Sequence, residues 1–315
     1  AITGTTSGTG FIAAKTVAEK GARTLLLNRK TNRSNKSYDL LKEHYPKANF
    51  VDIECDLQSF KSVKKAAKTI TDLCKDGLDV LCNNAGVMAL KDQATIDGFD
   101  IQMQTNHLSH FLLTKELLPL LETAAEKRGE ARIVNHTSIS RYGVKNLESK
   151  YFEKRGGSLG GNGSNILNKI LLGMILTNPR WYRYSQTKLA NAAFTACLHE
   201  KLQAKNSNIK ALIAHPGLAM TDLQSTTVED GGMGGFMTGK MMGGGQTMED
   251  GAIGIIKCIA DPDAMSGDFY GPGSGKMDMK GPVVKFDLEE LYDNRETKDL
   301  LWNKSCEAIE EDFII

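Results

Sequence analysis

Tyr184 and Lys188 lie four residues apart in the run Tyr-Ser-Gln-Thr-Lys, and together they could transfer a proton. A helix places residues i and i+4 on one face, so the lysine ammonium would lie beside the phenol. An ammonium about 4 Å away stabilises a phenolate by ~4 kcal/mol at an effective dielectric of ~20, or roughly three pKa units. The spacing therefore predicts that Lys188 lowers the pKa of Tyr184 from its usual ~10 toward neutrality, where general acid or base catalysis is efficient.

Ser138 follows the apolar run 131–136, which predicts a hydroxyl at the end of a buried strand. Such a hydroxyl can hydrogen-bond a substrate oxygen and stabilise developing alkoxide charge. A tyrosine four residues before a lysine also occurs as an ordinary surface pair. The catalytic interpretation therefore depends on finding a serine and a nucleotide site in the same chain.

A glycine-rich turn opens the chain, with Gly4, Gly8 and Gly10 in G-x-x-x-G-x-G spacing. Glycine permits a sharp turn and lets a pyrophosphate approach the backbone, and the N–H groups of the following helix then face the phosphates. The alternative is a turn that is merely tightly packed. We favour a dinucleotide site because the turn begins an alternation of strands and helices. The predicted cofactor contacts in this turn are Gly4, Thr6, Ser7, Gly8, Thr9 and Gly10.

The second strand ends in Leu-Asn-Arg-Lys, and this ending indicates which dinucleotide is bound. An NAD site usually has an acid near this position to bond the ribose 2′-OH, whereas an NADP site has an arginine. Here the first acidic residue after the strand is Asp39. Arg29 can instead make two hydrogen bonds to a 2′-phosphate, with Lys30 or Arg33 adding positive charge. A solvated basic turn is the alternative. We predict NADP(H), with Asn28 and Arg29 at its adenosine end.

Strand-like and helical runs alternate along the chain, which predicts βαβ units and a parallel sheet. Two segments interrupt this order, 143–180 and the glycine- and methionine-rich 229–247. Both are candidate substrate lids, and a mobile surface loop is the alternative for each. The predicted strands are 24–27, 49–53, 78–82, 131–136, 210–214 and 268–270. The predicted helices are 8–20, 37–44, 59–74, 99–123 and 184–204.

The composition fits an α/β protein of 315 residues, which we expect to form one large domain. A net charge of +1 argues against binding to nucleic acid or to an anionic membrane. The six scattered cysteines indicate free thiols in a reducing compartment, and no apolar run approaches the ~20 residues of a membrane span. Histidines near the predicted site form no ligand-like cluster, so no metal is expected. Only Ala1–Thr3 precede Gly4, so we expect the sequence to begin inside its first strand, downstream of any targeting segment.

Taken together, these motifs resemble the classical type of the short-chain dehydrogenase/reductase family over residues 3 to about 270. The resemblance implies a single Rossmann-type domain, 1–315, with a doubly wound parallel sheet and a long insertion before the tyrosine helix. It implies a catalytic tetrad of Asn106, Ser138, Tyr184 and Lys188, with Asn106 supporting a proton relay. The further cofactor residues that it implies are Asp56, Leu57, Asn83, Asn84, Ala85, Gly86, Pro216, Gly217 and Thr221, beside Tyr184 and Lys188.

Within that family the chain is most similar to the retinol dehydrogenase and protochlorophyllide reductase branch. The resemblance implies an NADP(H)-dependent oxidoreductase that interconverts a carbonyl and an alcohol on a bulky apolar molecule. Reduction of a carbon–carbon double bond and a non-catalytic nucleotide-binding assembly subunit are the alternatives. The expected compartment is the cytoplasm or the plastid stroma, and a homodimer or a larger assembly is possible. Tyr182 is expected to form a pocket wall. The near-helical apolar residues Leu167, Ile170, Leu171 and Met174 are expected to pack on the core or in a lid.

Overall fold

The computed structural model describes residues 1–163, 178–219, 227–232, 245–273 and 279–315. Within these ranges the chain forms one eight-stranded sheet in the order β3-β2-β1-β4-β5-β6-β7-β8. All neighbouring strands are parallel except β7 and β8. The strands are β1 Ile2–Thr3, β2 Thr24–Asn28, β3 Phe50–Glu54, β4 Val80–Asn83, β5 Ala131–His136, β6 Ile209–Ala214, β7 Phe269–Pro272 and β8 Val283–Phe286.

Helices cover both faces of the sheet, so the predicted doubly wound parallel fold is confirmed. α1, α2 and α7 pack on one face, and α3, α5, α6 and α8 pack on the other. A π-helical turn, Gln104–Leu108, joins α4 to α5. The helices are α1 Gly8–Glu19, α2 Asn32–His44, α3 Phe60–Leu73, α4 Ile101–Met103, α5 Ser109–Arg128, α6 Pro179–Ala204, α7 Met248–Ala260 and α8 Arg295–Ile309.

Two helices begin earlier than the sequence predicts, because polar residues cap them. Thr31 accepts a hydrogen bond from the Ser34 backbone N–H, so α2 begins at Asn32 and not at Ser37. Asn178 likewise accepts from the Arg180 backbone N–H, and Pro179 occupies the first helical position of α6. The tyrosine therefore lies in the second turn of its helix. Sequence analysis also missed α7, β8 and α8.

The described part of the insertion, 143–163 and 178–180, packs against the core. Leu147, Tyr151, Phe152 and Leu159 are buried among the side chains of the large hydrophobic cluster between the sheet and α3, α5, α6 and α8. These four residues of the insertion therefore pack on the core. The predicted apolar stripe 167–174 and most of the segment 229–247 lie outside the described residues. Within the described part of the chain, no helix combines the length and hydrophobicity needed to cross a bilayer.

Candidate active site

A cavity of about 350 Å³ opens at the carboxyl ends of the central strands. Strand order reverses between β1 and β4, the position where open α/β sheets bind ligands. The cavity brings together most of the predicted site, from the glycine turn to the tyrosine. The predicted residues that line it are Gly4, Thr6, Ser7, Gly8, Thr9, Asn28, Arg29, Asp56, Leu57, Asn84, Ala85, Gly86, Ser138, Tyr184, Lys188, Pro216 and Gly217.

The glycine turn is held against the end of β4 by Asn84. The Asn84 Nδ2 donates to the Thr3 carbonyl at 2.9 Å and to the Gly4 carbonyl at 3.3 Å, while its Oδ1 accepts from Thr9 Oγ1 at 3.0 Å. A Cβ on Gly10 would lie 2.3 Å from both Asn84 Nδ2 and the Gly4 carbonyl oxygen. Gly10 is therefore required for packing under the turn, and it does not line the cavity.

Gly4 and Asn28 fix the start of the turn. Gly4 has φ +71°, and a Cβ there would lie 2.8 Å from the Ala85 Cβ, so both the backbone conformation and the close approach require glycine. Asn28 Oδ1 accepts from the Thr5 N–H at 2.8 Å, and its Nδ2 donates to Thr5 Oγ1 at 2.8 Å. The amide of Asn28 therefore orders the turn from the neighbouring strand.

Cationic side chains lie at the end of the cavity where β2 stops beside the glycine turn. Arg29 is exposed and lines the cavity together with Thr31 and Arg33. Arg33 also donates a hydrogen bond to the Ser7 hydroxyl on the glycine turn. This end of the cavity can accommodate a phosphate group, because two guanidinium groups face the same space.

Asp56 and Leu57 border the same end from the loop after β3. Asp56 Oδ1 accepts from the Gln58 N–H at 3.0 Å, and the Leu57 carbonyl accepts from Ser109 Oγ at 2.7 Å. The loop is thereby fastened to α5. Asp56 lines the cavity, where the family resemblance implies a cofactor contact.

Asn83 lies behind the cavity. Its Nδ2 donates to Thr114 Oγ1 at 3.0 Å and to Asn135 Oδ1 at 2.9 Å. These bonds connect β4 to α5 and β5, so the side chain steadies the sheet rather than facing the cofactor space.

Tyr184 is buried on α6, with its phenol beside Ser138 and the cavity. Burial raises the pKa of Tyr184 well above its ordinary value, while a hydrogen bond with Ser138 opposes this shift. The Lys188 ammonium lies 5.6 Å from the centre of the phenol ring. The predicted lowering of the Tyr184 pKa by Lys188 is therefore wrong for this structure, because desolvation of the buried phenol raises the pKa. At neutral pH the phenol is protonated and can act as an acid.

Lys188 is buried one turn further along α6. Its Nζ donates to the His136 carbonyl at 3.2 Å, and Thr137 Oγ1 donates to the Lys188 carbonyl at 2.6 Å. Burial lowers the pKa of Lys188 to about 8. The ammonium can make three hydrogen bonds, and the described residues accept one of them. Lys188 is thus suited to bind a ligand that brings hydrogen-bond acceptors.

Asn106 lies in the π-helical turn, behind the cavity wall formed by Gly86 and Val87. Its Oδ1 accepts from the Val87 N–H at 2.7 Å, and its Nδ2 donates to the Val87 carbonyl and to Thr187 Oγ1, each at 2.9 Å. A Cβ on Gly86 would lie 3.3 Å from Asn106 Oδ1 and 3.5 Å from Lys188 Nζ. The asparagine therefore lies close to the lysine, as predicted, but does not line the cavity. Single π turns often occur at functional sites.

The wall around the phenol is apolar, and sequence analysis missed its main member. Trp181 lines the cavity, and its ring meets the Tyr184 ring edge to face, with centres 5.9 Å apart. Met88 and Ala89 belong to the same buried cluster. Tyr182, the predicted wall residue, instead donates its hydroxyl to Glu148. In the helix as observed, Trp181 lies three residues before Tyr184 and shares its face, whereas Tyr182 lies two residues before it and does not.

Buried charges fasten loops to the start of α6. Arg183 Nε lies 3.2 Å from Asp100 Oδ2, and its Nη1 lies 3.7 Å from Asp92 Oδ2, with all three side chains almost fully buried. Asp92 also accepts hydrogen bonds from three backbone N–H groups in 157–161. Arg180 pairs with Asp230 at 3.0 Å. These pairs hold the insertion and the segment 227–232 beside the tyrosine.

Pro216 and Gly217 border the cavity after β6. A Cβ on Gly217, which has φ +60°, would lie 2.3 Å from the Met279 carbonyl oxygen, so this turn also requires glycine. The remaining predicted cofactor residue, Thr221, lies outside the described residues. Within the described ranges, no group of three His, Cys, Asp or Glu side chains is arranged to hold a metal ion.

The chain is similar to known dehydrogenases. The family model described as short chain dehydrogenase matches residues 1–150. The protein is 34 % identical over 232 residues to the short-chain dehydrogenase TIC 32 A, chloroplastic, of Brassica napus, and this match covers 70 % of the chain and 64 % of the relative. It is 32 % identical over 232 residues to retinol dehydrogenase 14 of Mus musculus, with 70 % and 61 % covered. The chain thus spans less than two thirds of the length of these relatives.

A solved structure shares the whole fold. The crystal structure of a putative uncharacterized protein from Mycobacterium Paratuberculosis matches with a TM-score of 0.72 and 28 % identity, over 100 % of this chain and 94 % of that one. The matched family model, the curated relatives and this fold all lead to one assignment. The chain belongs to the short-chain dehydrogenase/reductase family.

Proposed function

We propose that the protein is an NADP(H)-dependent oxidoreductase that interconverts a carbonyl and an alcohol on a bulky apolar small molecule. One observation carries the proposal: a single cavity contains the glycine turn at one end and Ser138, Tyr184 and Lys188 at the other. A protein that only binds nucleotides has no use for a buried phenol and a buried amine at such a position.

The residues of the cavity fit the cofactor. The glycine turn exposes backbone at the start of α1, where a pyrophosphate is favoured. Arg29 and Arg33 suit a 2′-phosphate, which NADP(H) has and NAD(H) lacks. The Lys188 ammonium has donors available for ribose hydroxyls, and Gly86 leaves space beside it. When bound, NADP(H) supplies or accepts the hydride.

The proton and the substrate oxygen are handled by this chain's own residues. Ser138 and Tyr184 would hydrogen-bond the carbonyl oxygen, and in reduction the phenol would give its proton to that oxygen as negative charge develops there. The raised pKa of Tyr184 keeps the phenol protonated at neutral pH, which is the form that reduction requires. Lys188 and Asn106 would support reprotonation of the phenol from solvent.

The apolar wall supports the proposed substrate class. Trp181 and Met88 line the cavity and belong to the buried cluster that contains Tyr184. Ile139 and Leu218 are further apolar residues of the cavity lining. The mouse relative is named a retinol dehydrogenase, which agrees with an apolar substrate. The Brassica relative is named as chloroplastic, which supports the plastid among the expected compartments. Association into a homodimer or a larger assembly stays a prediction.

The decisive test is turnover with NADPH. The purified protein is mixed with NADPH and with retinal or a panel of apolar aldehydes and ketones, and loss of the reduced nicotinamide absorbance is followed. We expect saturable reduction, with NADH a poorer donor. Tight binding of NADPH without turnover of any carbonyl would instead favour a nucleotide-binding subunit.

A further inference from the structure

Among the described residues that line the cavity with the proton donor, Trp181 has the largest apolar side chain. It lies one helical turn before Tyr184 on α6, and the two rings meet at an interplanar angle of 85°. Trp181 is 8 % exposed and lines the cavity. Because its ring centre lies 5.9 Å from that of Tyr184, a substrate whose oxygen reaches the phenol would come close to the indole.

The position of Trp181 is fixed by its own hydrogen bond. Its Nε1 donates to the Gly232 carbonyl at 3.2 Å. A Cβ on Gly232 would lie 2.2 Å from the Ala89 carbonyl oxygen, so only glycine brings this carbonyl so close. The polar atom of the indole is therefore satisfied within the protein, and the ring carbons remain for an apolar ligand.

The segment that supplies this carbonyl is itself fastened to the cavity wall. Asp230 accepts hydrogen bonds from Arg180 Nη1 at 3.0 Å and from the Lys91 N–H at 2.6 Å. Thr227 Oγ1 donates to the Met88 carbonyl at 2.8 Å. The indole is thus held from two sides, by α6 and by 227–232, which is the arrangement expected of a rigid contact surface.

We infer that Trp181 determines substrate specificity, by packing against the apolar group attached to the reacting carbonyl carbon. The inference rests on the proposed function and names the substrate class of the same site: carbonyl compounds with an extended apolar chain or ring next to the C=O group. Each methylene that packs on the indole lowers the free energy of the transition state, so longer chains react faster.

The test compares propanal with octanal as substrates in the presence of NADPH. We expect wild-type kcat/KM to be higher for octanal, and Trp181→Ala to lower the octanal value by roughly tenfold or more while the propanal value changes by less than about threefold. Equal losses for both aldehydes would overturn the inference, because they would mean that the indole only supports Tyr184.

Fluorescence provides a second readout that does not need turnover. The chain has two tryptophans, and Trp302 lies in the core, stacked on Phe313. In Trp302→Phe the emission comes from Trp181, and we expect it to shift when the unreactive octanamide is added with NADPH. The matched variant Trp181→Phe should show no shift.

The two readouts separate the two proposals. If wild-type protein reduces neither aldehyde, the proposed function fails, while a shift of Trp181 emission by octanamide still supports the contact. If wild-type protein turns over octanal but octanamide leaves the emission of Trp302→Phe unchanged, the function stands and the role of Trp181 is wrong.

Discussion

The two ends of the cavity are built in different ways. At the nucleotide end, amide and hydroxyl side chains bind neighbouring backbone, as Asn28 does with Thr5 and Asn84 with Thr3 and Gly4. At the substrate end, buried arginines bind carboxylates far away in the chain, as Arg183 does with Asp92 and Asp100. The first end needs short polar residues at strand ends, and the second needs specific long-range charge pairs.

This difference predicts what a substitution at each end of the cavity would change. Neutral hydrogen bonds to backbone contribute about 0.5–1.5 kcal/mol each and set a geometry that tolerates little change. Buried ion pairs add little net stability but are costly to break on one side. Changes at the nucleotide end should therefore alter cofactor binding, and changes at the substrate end should alter stability and substrate choice.

The largest expected effect comes from the proton donor. Tyr184→Phe should lower kcat by ~10²–10⁴, because it removes the general acid, while the NADPH dissociation constant changes little. Steady-state kinetics and a fluorescence titration with NADPH measure the two quantities.

Tyr182→Phe is the matched control for this change. It removes a hydroxyl two residues away that binds Glu148 outside the cavity, so turnover should stay near the wild-type value. Full activity in Tyr184→Phe would refute the assigned proton donor.

The substrate end can be tested through its buried charges. Arg183→Met leaves Asp92 and Asp100 buried without their cation, so the free energy of unfolding should fall by about 3–5 kcal/mol. Urea denaturation followed by circular dichroism measures the change. Arg155→Met, at an exposed pair with Glu153, should cost less than about 1 kcal/mol. Similar losses in both variants would remove the contrast between the two ends.

The nucleotide end can be tested through cofactor choice. Arg29→Ala should weaken NADPH binding by roughly tenfold or more, because a charge-assisted hydrogen bond to the 2′-phosphate is lost. NADH binding should be unchanged, since that cofactor has no 2′-phosphate. Calorimetric titrations with both cofactors measure the ratio of the two dissociation constants. An equal loss of affinity for NADPH and NADH would show that Arg29 does not contact the 2′-phosphate.

The smallest expected effect is a pH dependence of cofactor affinity. The pKa of Lys188 is lowered to about 8, so the ammonium is present below that pH and is lost as the pH rises through it. NADPH affinity should therefore fall several-fold between about pH 7 and about pH 9. Lys188→Met should bind NADPH more weakly and lack this pH step. A step of the same size in that variant would assign the titration to another group.

The sequence predicted the nucleotide end better than the substrate end. The glycine turn and Asn84 act within short motifs whose geometry follows from strand ends and residue types. The raised pKa of Tyr184 could not be predicted, because the spacing of two residues in sequence does not show how deeply the phenol is buried. The Arg183 pairs were invisible for a similar reason: Asp92 and Asp100 lie more than eighty residues away in sequence.

Element bounds show the same limit. The alternation of strands and helices was recognisable through β6, and β7 was also found, whereas α7, β8 and α8 were missed. Thr247 and Asn294 cap the two missed helices, and these single polar residues were not recognised as helix starts. Helical spacing would have identified Trp181 only with the correct helix start at Pro179, because the predicted helix began at Tyr184. Tyr182 was chosen instead. Position on the helix face, not residue type, identifies which of the two residues lines the cavity.

Residues on the two sides of the π-helical turn contact the two ends of the cavity. Before it, Asp100 and Gln102 contact Arg183 and the Arg180 carbonyl; after it, His110 contacts Thr3 beneath the glycine turn. A turn of this kind contains one residue more than an α-helical turn, and one residue corresponds to about 100° of rotation. The residues before and after the π turn, which contains Asn106, therefore face directions that differ from those of one continuous α-helix from Ile101 to Arg128.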